Sequence, residues 1–304
     1  SYEYNELGEI LAVVDAKGNR ITSSYDLVGA RTLLSSPDTG TVLFSYDEAG
    51  NLVEKTDEVL RSRGETIRYT YDGLERLMRT TYPRTAPTVY VYGDENAPSG
   101  LVGRLVRRED ASGSVSYEYG LLGETTAMTR VIKRLTPLAA DESARFVYCS
   151  DYLGRMQSIT YPDGEIVSYD YDSGGQVKSV TSEHNGLTTT YVADIAYDEF
   201  GQRTYIEYGN GTRTSYRYDE NRRWLAGLRT TTQFGTVYQD LQYRFDLVGN
   251  VLGYTNDAGS YKTEQSYQYD SLYQLVYAAG ESVYHPYSLT EYTSTYTQSF
   301  SYDE

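Results

Sequence analysis

The chain has 304 residues, 43 acidic against 27 basic for a formal charge of −16, and 35 of the 304 are tyrosine. That charge argues against nucleic-acid phosphate or an anionic membrane as main partner, and apolar runs such as Leu11 to Val14 are far too short to span a bilayer. A single cysteine, Cys149, excludes an internal disulfide framework and reads as a small side chain packed in a strand.

The tyrosines keep a beat. A Tyr-Asp pair or close relative starts at Tyr4, Tyr25, Tyr46, Tyr71, Tyr119, Ser150, Tyr171, Tyr197, Tyr218, Phe245, Tyr269 and Tyr302, with Tyr92-Gly93 as a decayed copy. Steps of 21 residues recur (4 to 25, 25 to 46, 150 to 171, 197 to 218), and the longer ones reach 33. A fixed minimum period with insertions is a repeat carrying loops.

Each copy predicts the same local structure. An aromatic two residues upstream, as in Phe44 and Tyr46, Tyr69 and Tyr71, Tyr117 and Tyr119, or Tyr267 and Tyr269, puts two rings on one strand face. The Asp then opens a turn: Asp26 to Gly29, Asp47 to Gly50, Asp151 to Gly154, Asp172 to Gly175, Asp198 to Gly201 and Asp246 to Gly249, with Asp72, Asp219 and Asp270 in copies that lack the fourth-position Gly. Asp first and Gly fourth is type I turn chemistry: the carboxylate accepts nearby backbone N–H groups, and Gly takes the positive φ that a Cβ penalises. These aspartates are therefore structural.

Midway through the period comes a second turn, at Lys17-Gly18-Asn19, Pro37 to Gly40, Pro162-Asp163-Gly164, Asn185-Gly186, Gly209-Asn210-Gly211 or Asp257-Ala258-Gly259. The repeat is one β-hairpin. Three stretches depart from the beat. Residues 83 to 115 read as a surface loop and a weak repeat. Residues 124 to 148 read as a long strand (124 to 134, a helix being the competing reading) and a loop over 135 to 143. Residues 275 to 299, with His285-Pro286, read as an extended excursion or hairpin extension.

The fold class expected is all-β: repeated hairpins in one long curved antiparallel sheet, a single array over 1–304. About 24 strands at about 4.8 Å each would run to roughly 115 Å, and so long a twisted sheet curls or closes, giving a spiral ribbon or hollow shell. The chain begins inside a strand at Ser1 and stops inside a turn at Glu304, without capping repeats, as a fragment of a longer chain would.

Little else points to chemistry. Asp170 and Asp172 lie two apart, as a glycosidase pair could, but Asp172 is the turn Asp and Asp170 a local variation. His184 and His285 lack a nucleophile or metal-ligand spacing, and no calcium-loop pattern accompanies the aspartates. Asn210-Gly211-Thr212 fits a glycosylation sequon, yet Asn-Gly at a hairpin tip explains it. No enzyme, cofactor or metal is expected.

The pattern Tyr-Asp-x-x-Gly-[Arg/Asn/Gln]-[Leu/Val/Met], with Asp151 to Gly164 as a near-complete unit, resembles the RHS or YD-repeat family over essentially the whole chain. Tyr208 to Asp219, Leu228 to Thr231, Leu241 to Asn250 and Tyr269 to Leu275 resemble the repeat region of the B component, the SpvB-containing proteins, of ABC-type insecticidal toxin complexes. The resemblance implies a spiral β-ribbon forming a hollow cocoon around a toxic C-terminal polypeptide. The partners it implies are the remaining repeats, that passenger and a translocation component. It implies a secreted or cell-surface bacterial protein whose export signal lies outside this chain. The self-cleaving protease segment and toxin tail of full family members are missing here, so neither activity is assigned. In teneurin-like proteins the same repeats imply the alternative, an extracellular adhesion or carbohydrate- or protein-binding module.

Overall fold

A computed structural model describes residues 1–98, 100–134, 140–259, 261–284 and 292–302. They fall into two compact units, 1–155 and 156–302. The first holds β1 (Tyr2–Tyr4), β2 (Ile10–Val14), β3 (Arg20–Tyr25), β4 (Arg31–Ser36), β5 (Gly40–Tyr46), β6 (Leu52–Thr56), a short helix α1 (Glu58–Ser62), β7 (Ile67–Tyr71), β8 (Leu77–Thr81), β9 (Thr88–Tyr92), β10 (Leu105–Asp110), β11 (Gly113–Tyr119), β12 (Thr125–Ile132) and β13 (Glu142–Ser150). The second holds β14 (Met156–Thr160), β15 (Ile166–Tyr171), β16 (Val177–His184), β17 (Leu187–Tyr197), β18 (Arg203–Tyr208), β19 (Arg213–Tyr218), β20 (Leu225–Thr231), β21 (Val237–Phe245), β22 (Val251–Ala258), β23 (Tyr261–Tyr269), β24 (Leu275–Tyr284) and β25 (Tyr292–Ser299).

Each unit is an antiparallel meander in which every strand pairs with its neighbours in sequence. The all-β hairpin array read from the sequence is what forms. The Asp turns join odd strands to the next even strand in the first unit, so in a meander they line one rim, and the second turns line the other.

The sheet is a single layer. Its buried residues are small or alternate along strands, such as Ala12, Val42 and Ala127 in the first unit and Val167, Ile206 and Leu241 in the second, and among the described residues no large side chain is fully buried. Tyrosine suits such a wall because its ring covers strand backbone while its hydroxyl stays satisfied at a wet face.

The irregular stretches resolve into strands. Over 124–134 the strand reading holds as β12, paired to both neighbours. The loop expected over 135 to 143 is shorter at its C-terminal end, because Glu142 and Ser143 already pair with Ile132 and Val131; residues 135–139 lie outside the described residues. Within 83–115, β9 and β10 pair antiparallel across a long connection, with a register shift between Leu105 and Arg107. The stretch 275–299 extends the hairpin through β24 and β25, paired from Tyr277 to Tyr284, while His285 and Pro286 lie outside the described residues. The unforeseen element is α1, where Asp57 caps the helix by accepting from Leu60 N (2.8 Å). Glu58 reaches back to accept from Thr41 N at 3.2 Å. Five residues are too few for a helical period to show in the sequence.

Candidate functional site

The repeated Tyr-Asp turn is a constellation of polar groups that recurs along the described residues. In the consensus unit, Asp151 Oδ1 accepts the N–H groups of Leu153 and Arg155, both at 2.9 Å, and Gly154 N donates to Asp151 O. The loop then closes with Asp151 N on Arg155 O at 2.9 Å. Asp26, Asp47, Asp72, Asp198, Asp246 and Asp270 repeat the carboxylate bonds to residues two and four further on. In Asp172 the bond to Gln176 N is made. This is a type I turn followed by a left-handed residue, the three-residue hairpin loop with a bulge. The bulge falls at the repeat tyrosine, as at Ser24/Tyr25, Thr70/Tyr71 and Ala196/Tyr197.

Gly154 and Gly201 sit at φ +78° and +76°. Where the sequence lacks that glycine the conformation persists in other residues: Glu75 (φ 62°), Arg223 (φ 60°) and Tyr273 (φ 63°). The longer Asp219 loop keeps the carboxylate role, accepting from Asn221 N and Arg222 N.

Two further features explain parts of the consensus that turn chemistry leaves open. The Arg or Asn after the glycine closes on the second carboxylate oxygen: Arg155 Nε to Asp151 Oδ2 at 2.7 Å, Arg76 Nε to Asp72 Oδ2 at 2.8 Å, Asn250 Nδ2 to Asp246 Oδ2 at 2.7 Å. The Arg76 side chain and then its backbone N–H hold the Asp72 carboxyl below its ordinary value, as the Asn51 N–H does first at Asp47.

The second feature is a clasp between repeats. Most repeat tyrosines donate their hydroxyl to a backbone carbonyl at the strand start in the preceding repeat: Tyr46 to Arg31 O (3.0 Å), Tyr71 to Leu52 O (2.9 Å), Tyr119 to Leu105 O (2.7 Å), Tyr171 to Met156 O (2.5 Å), Tyr197 to Val177 O (2.8 Å) and Tyr269 to Val251 O (2.9 Å). Tyr25 and Tyr302 do likewise, and so does Tyr92, so the decayed copy keeps its clasp. Phe245 has no hydroxyl and packs on Trp224 instead, ring centroids 5.2 Å apart. Tyr218 makes no clasp among the described residues. Burial pushes the phenols of Tyr71, Tyr119, Tyr197, Tyr218 and Tyr269 above their ordinary value.

The remaining sequence candidates do not converge. Asp170 accepts from Ser179 Oγ (2.8 Å) while Asp172 closes its own turn. His184 Nε2 lies 3.2 Å from Asp163 O at a hairpin tip, and Asn210 Oδ1 is occupied by Thr212 N and Oγ1. Cys149 lies in β13 but is exposed and not packed, because one layer leaves alternate faces wet. Among the described residues no three His, Cys, Asp or Glu side chains gather to hold a metal, and no helix is long and apolar enough to cross a membrane.

Comparison with known proteins bears on what this wall belongs to. Residues 1–192 match the family model described as Teneurin YD-shell. The chain is 34% identical over 158 residues to toxin subunit YenC1 of Yersinia entomophaga, covering 47% of this chain and 15% of that protein. It is 30% identical over 216 residues to toxin subunit YenC2 of the same organism, covering 60% and 22%. The crystal structure of TcdB2-TccC3-Cdc42 superposes on 99% of this chain and 17% of its own with a TM-score of 0.79 at 22% identity, a likeness of fold. The chain thus spans about a fifth or less of the length of these relatives.

Proposed function

Because this chain belongs to the Teneurin YD-shell family, we propose that it is a wall segment of a bacterial ABC-type toxin complex, enclosing a toxic C-terminal polypeptide until delivery. The observation that carries the reading is the single-layer sheet whose repeats are clasped one to the next by the tyrosine hydroxyls. Such a ribbon gains stability along its length and needs no core behind it, which is what a container wall requires. The likeness to the two Yersinia toxin subunits supports the toxin setting. The role is mechanical and not catalytic: the carboxylates and phenols that could do chemistry are engaged in their own turns and clasps. Partners are the remaining repeats, the enclosed polypeptide and a translocation component, and the setting is extracellular.

The wall holds its passenger by exclusion and weak polar contact, so breaks in the ribbon matter more than scattered substitutions on its faces. In the full-length protein, protease should spare a C-terminal passenger in the wild type and in face variants, and digest it when one 21-residue repeat is deleted. A passenger digested freely in the wild type, or spared equally after the deletion, removes the container reading and leaves adhesion.

A further inference from the structure

The hairpin tip that joins β16 to β17 holds chemistry that the repeat does not use. His184 and Leu187 pair as its last strand residues, and Asn185 and Gly186 form the two-residue turn between them at φ 53° and 76°. Positive φ at both central positions is the type I′ turn, which Asn-Gly suits. Asn-Gly is also a pair in which a main-chain nitrogen readily reaches the side-chain carbonyl before it, since glycine puts no Cβ in the way.

The chain has one other such pair, Asn210-Gly211, at the tip between β18 and β19. There both reacting groups are engaged. Gly211 N donates to Tyr208 O at 2.9 Å, and Asn210 Oδ1 accepts from Thr212 N (2.9 Å) and Thr212 Oγ1 (2.7 Å). At the β16–β17 tip neither is: among the described residues the Gly186 N–H and Asn185 Oδ1 have no hydrogen-bond partner, and both residues are exposed to water.

What Asn185 has instead is a proton donor. His184 Nε2 lies 3.3 Å from Asn185 Nδ2 and 3.2 Å from Asp163 O, so the ring stands between the amide nitrogen and a carbonyl of the adjoining tip. The nearby Glu165 carboxylate is already taken by the Ser182 and Tyr191 hydroxyls, both at 2.5 Å. A planar amide nitrogen only donates. Once its carbon is attacked it becomes a basic amine that takes up a proton, and a protonated Nε2 is within reach to supply it.

We propose that Asn185-Gly186 is a site of spontaneous main-chain modification, deamidation through a cyclic imide, with His184 as proton donor to the departing nitrogen. The Gly186 nitrogen gives its proton to solvent and bonds to Asn185 Cγ. The Cγ–Nδ2 bond breaks, Nδ2 leaves as ammonia with the proton from His184 Nε2, and the ring regains its proton from solvent. Water then opens the imide at either carbonyl to give aspartate or isoaspartate, so water is the only reagent consumed. Either product adds a carboxylate beside Asp163. Isoaspartate also lengthens the main chain of a two-residue turn whose length sets the register of β16 on β17. The inference is independent of the container reading.

The test is incubation of the purified chain at neutral pH in isotopically heavy water, followed by peptide mass spectrometry at both Asn-Gly pairs and enzymatic methylation of isoaspartate. Asn185 should convert faster than Asn210. In His184→Gln the Asn185 rate should fall by about tenfold, less than the about 10²-fold of a general acid in an enzyme because the tip is open and the contact long. Asn210 in the same digest should be unchanged by that variant. Unfolding the wild type in urea should bring the two rates together. Conversion at Asn210 as fast as at Asn185 in the folded chain, or an Asn185 rate unchanged by His184→Gln, overturns the inference. Should the variant lose its strand signal, the wild type decides: a rate ratio that urea collapses supports the folded tip as its cause, and a ratio that persists refutes it.

Discussion

Removing one clasp hydroxyl tests the account of the ribbon most directly. Tyr197→Phe deletes the 2.8 Å bond from the Tyr197 hydroxyl to Val177 O and keeps the ring. The donor is part-buried, so water reaches the freed carbonyl in part, and the loss should be about 1 kcal/mol, within the 0.5–1.5 kcal/mol of a typical intramolecular hydrogen bond. Tyr171 and Tyr269 make the same bond elsewhere in this unit, to Met156 O and Val251 O. As separate sites their losses should add, to about 3 kcal/mol for the triple Phe variant. Because the clasps join neighbouring repeats, losing three weakens the coupling that makes the array melt as one body. The single variant should lower the urea midpoint at constant m, and the triple variant should also lower m. Tyr238→Phe, at an exposed ring with no hydrogen bond found among the described residues, is the control and should stay within about 0.5 kcal/mol of wild type. If Tyr197→Phe and Tyr238→Phe prove indistinguishable, the clasp contributes nothing and the ribbon is held by its backbone ladder alone.

Other expectations follow from the same geometry. Gly154→Val and Gly201→Val should each cost on the order of 1 kcal/mol or more in urea melts, since a β-branched residue resists φ +78° and +76°. Conversely, Glu75→Gly and Tyr273→Gly relieve left-handed non-glycine residues and should raise the melting midpoint by the equivalent of about 0.5–1 kcal/mol. The Asp72 and Asp47 carboxyls are held below their ordinary value, so their contribution is complete above about pH 4 and is lost as pH falls through the lowered folded value; acid titration by circular dichroism should show loss only below that point, shallower in Asp72→Asn. The phenols of Tyr71, Tyr119, Tyr197 and Tyr269 are raised, so their contribution is complete below about pH 10 and is lost as pH climbs through the raised value; phenolate absorbance should lag free tyrosine and then rise together with loss of strand signal.

The hairpins were legible because two independent signals coincide in each copy: aromatics at a period of two, and Asp and Gly at the turn positions that need them. The clasp was not, because its acceptors are carbonyls, such as those of Leu52 and Val177, which carry no sequence signature. The position after the left-handed residue stood in the motif as Arg, Asn or Gln, and that Arg and Asn reach back to the second Asp oxygen becomes evident only once the bulged loop brings Arg155 or Asn250 beside it, while Gln202 turns its amide to Arg223 O. Helix α1 escaped because its signals are one N-cap and one turn of residues, and Cys149 was misread because burial was assigned from residue type in a sheet with no second layer to bury it.

The arrangement explains why so little of each repeat is constrained. The Asp, the left-handed residue and the Tyr together close one turn and tie it to the one before, which is the whole mechanical requirement of a ribbon. Strand residues between turns need only pair their backbones, so the repeat tolerates an insertion as large as α1 between β6 and β7 while Tyr71 still reaches Leu52 O across it. Length can therefore be added at the second turns without breaking the link at the first. The same division leaves the two central residues of each Asp turn free of any role inside the repeat. That the Asp26 turn holds Leu27 and Val28 there, and the matching Gly120 turn holds Leu121 and Leu122, all largely exposed, places the reason for them outside the repeat.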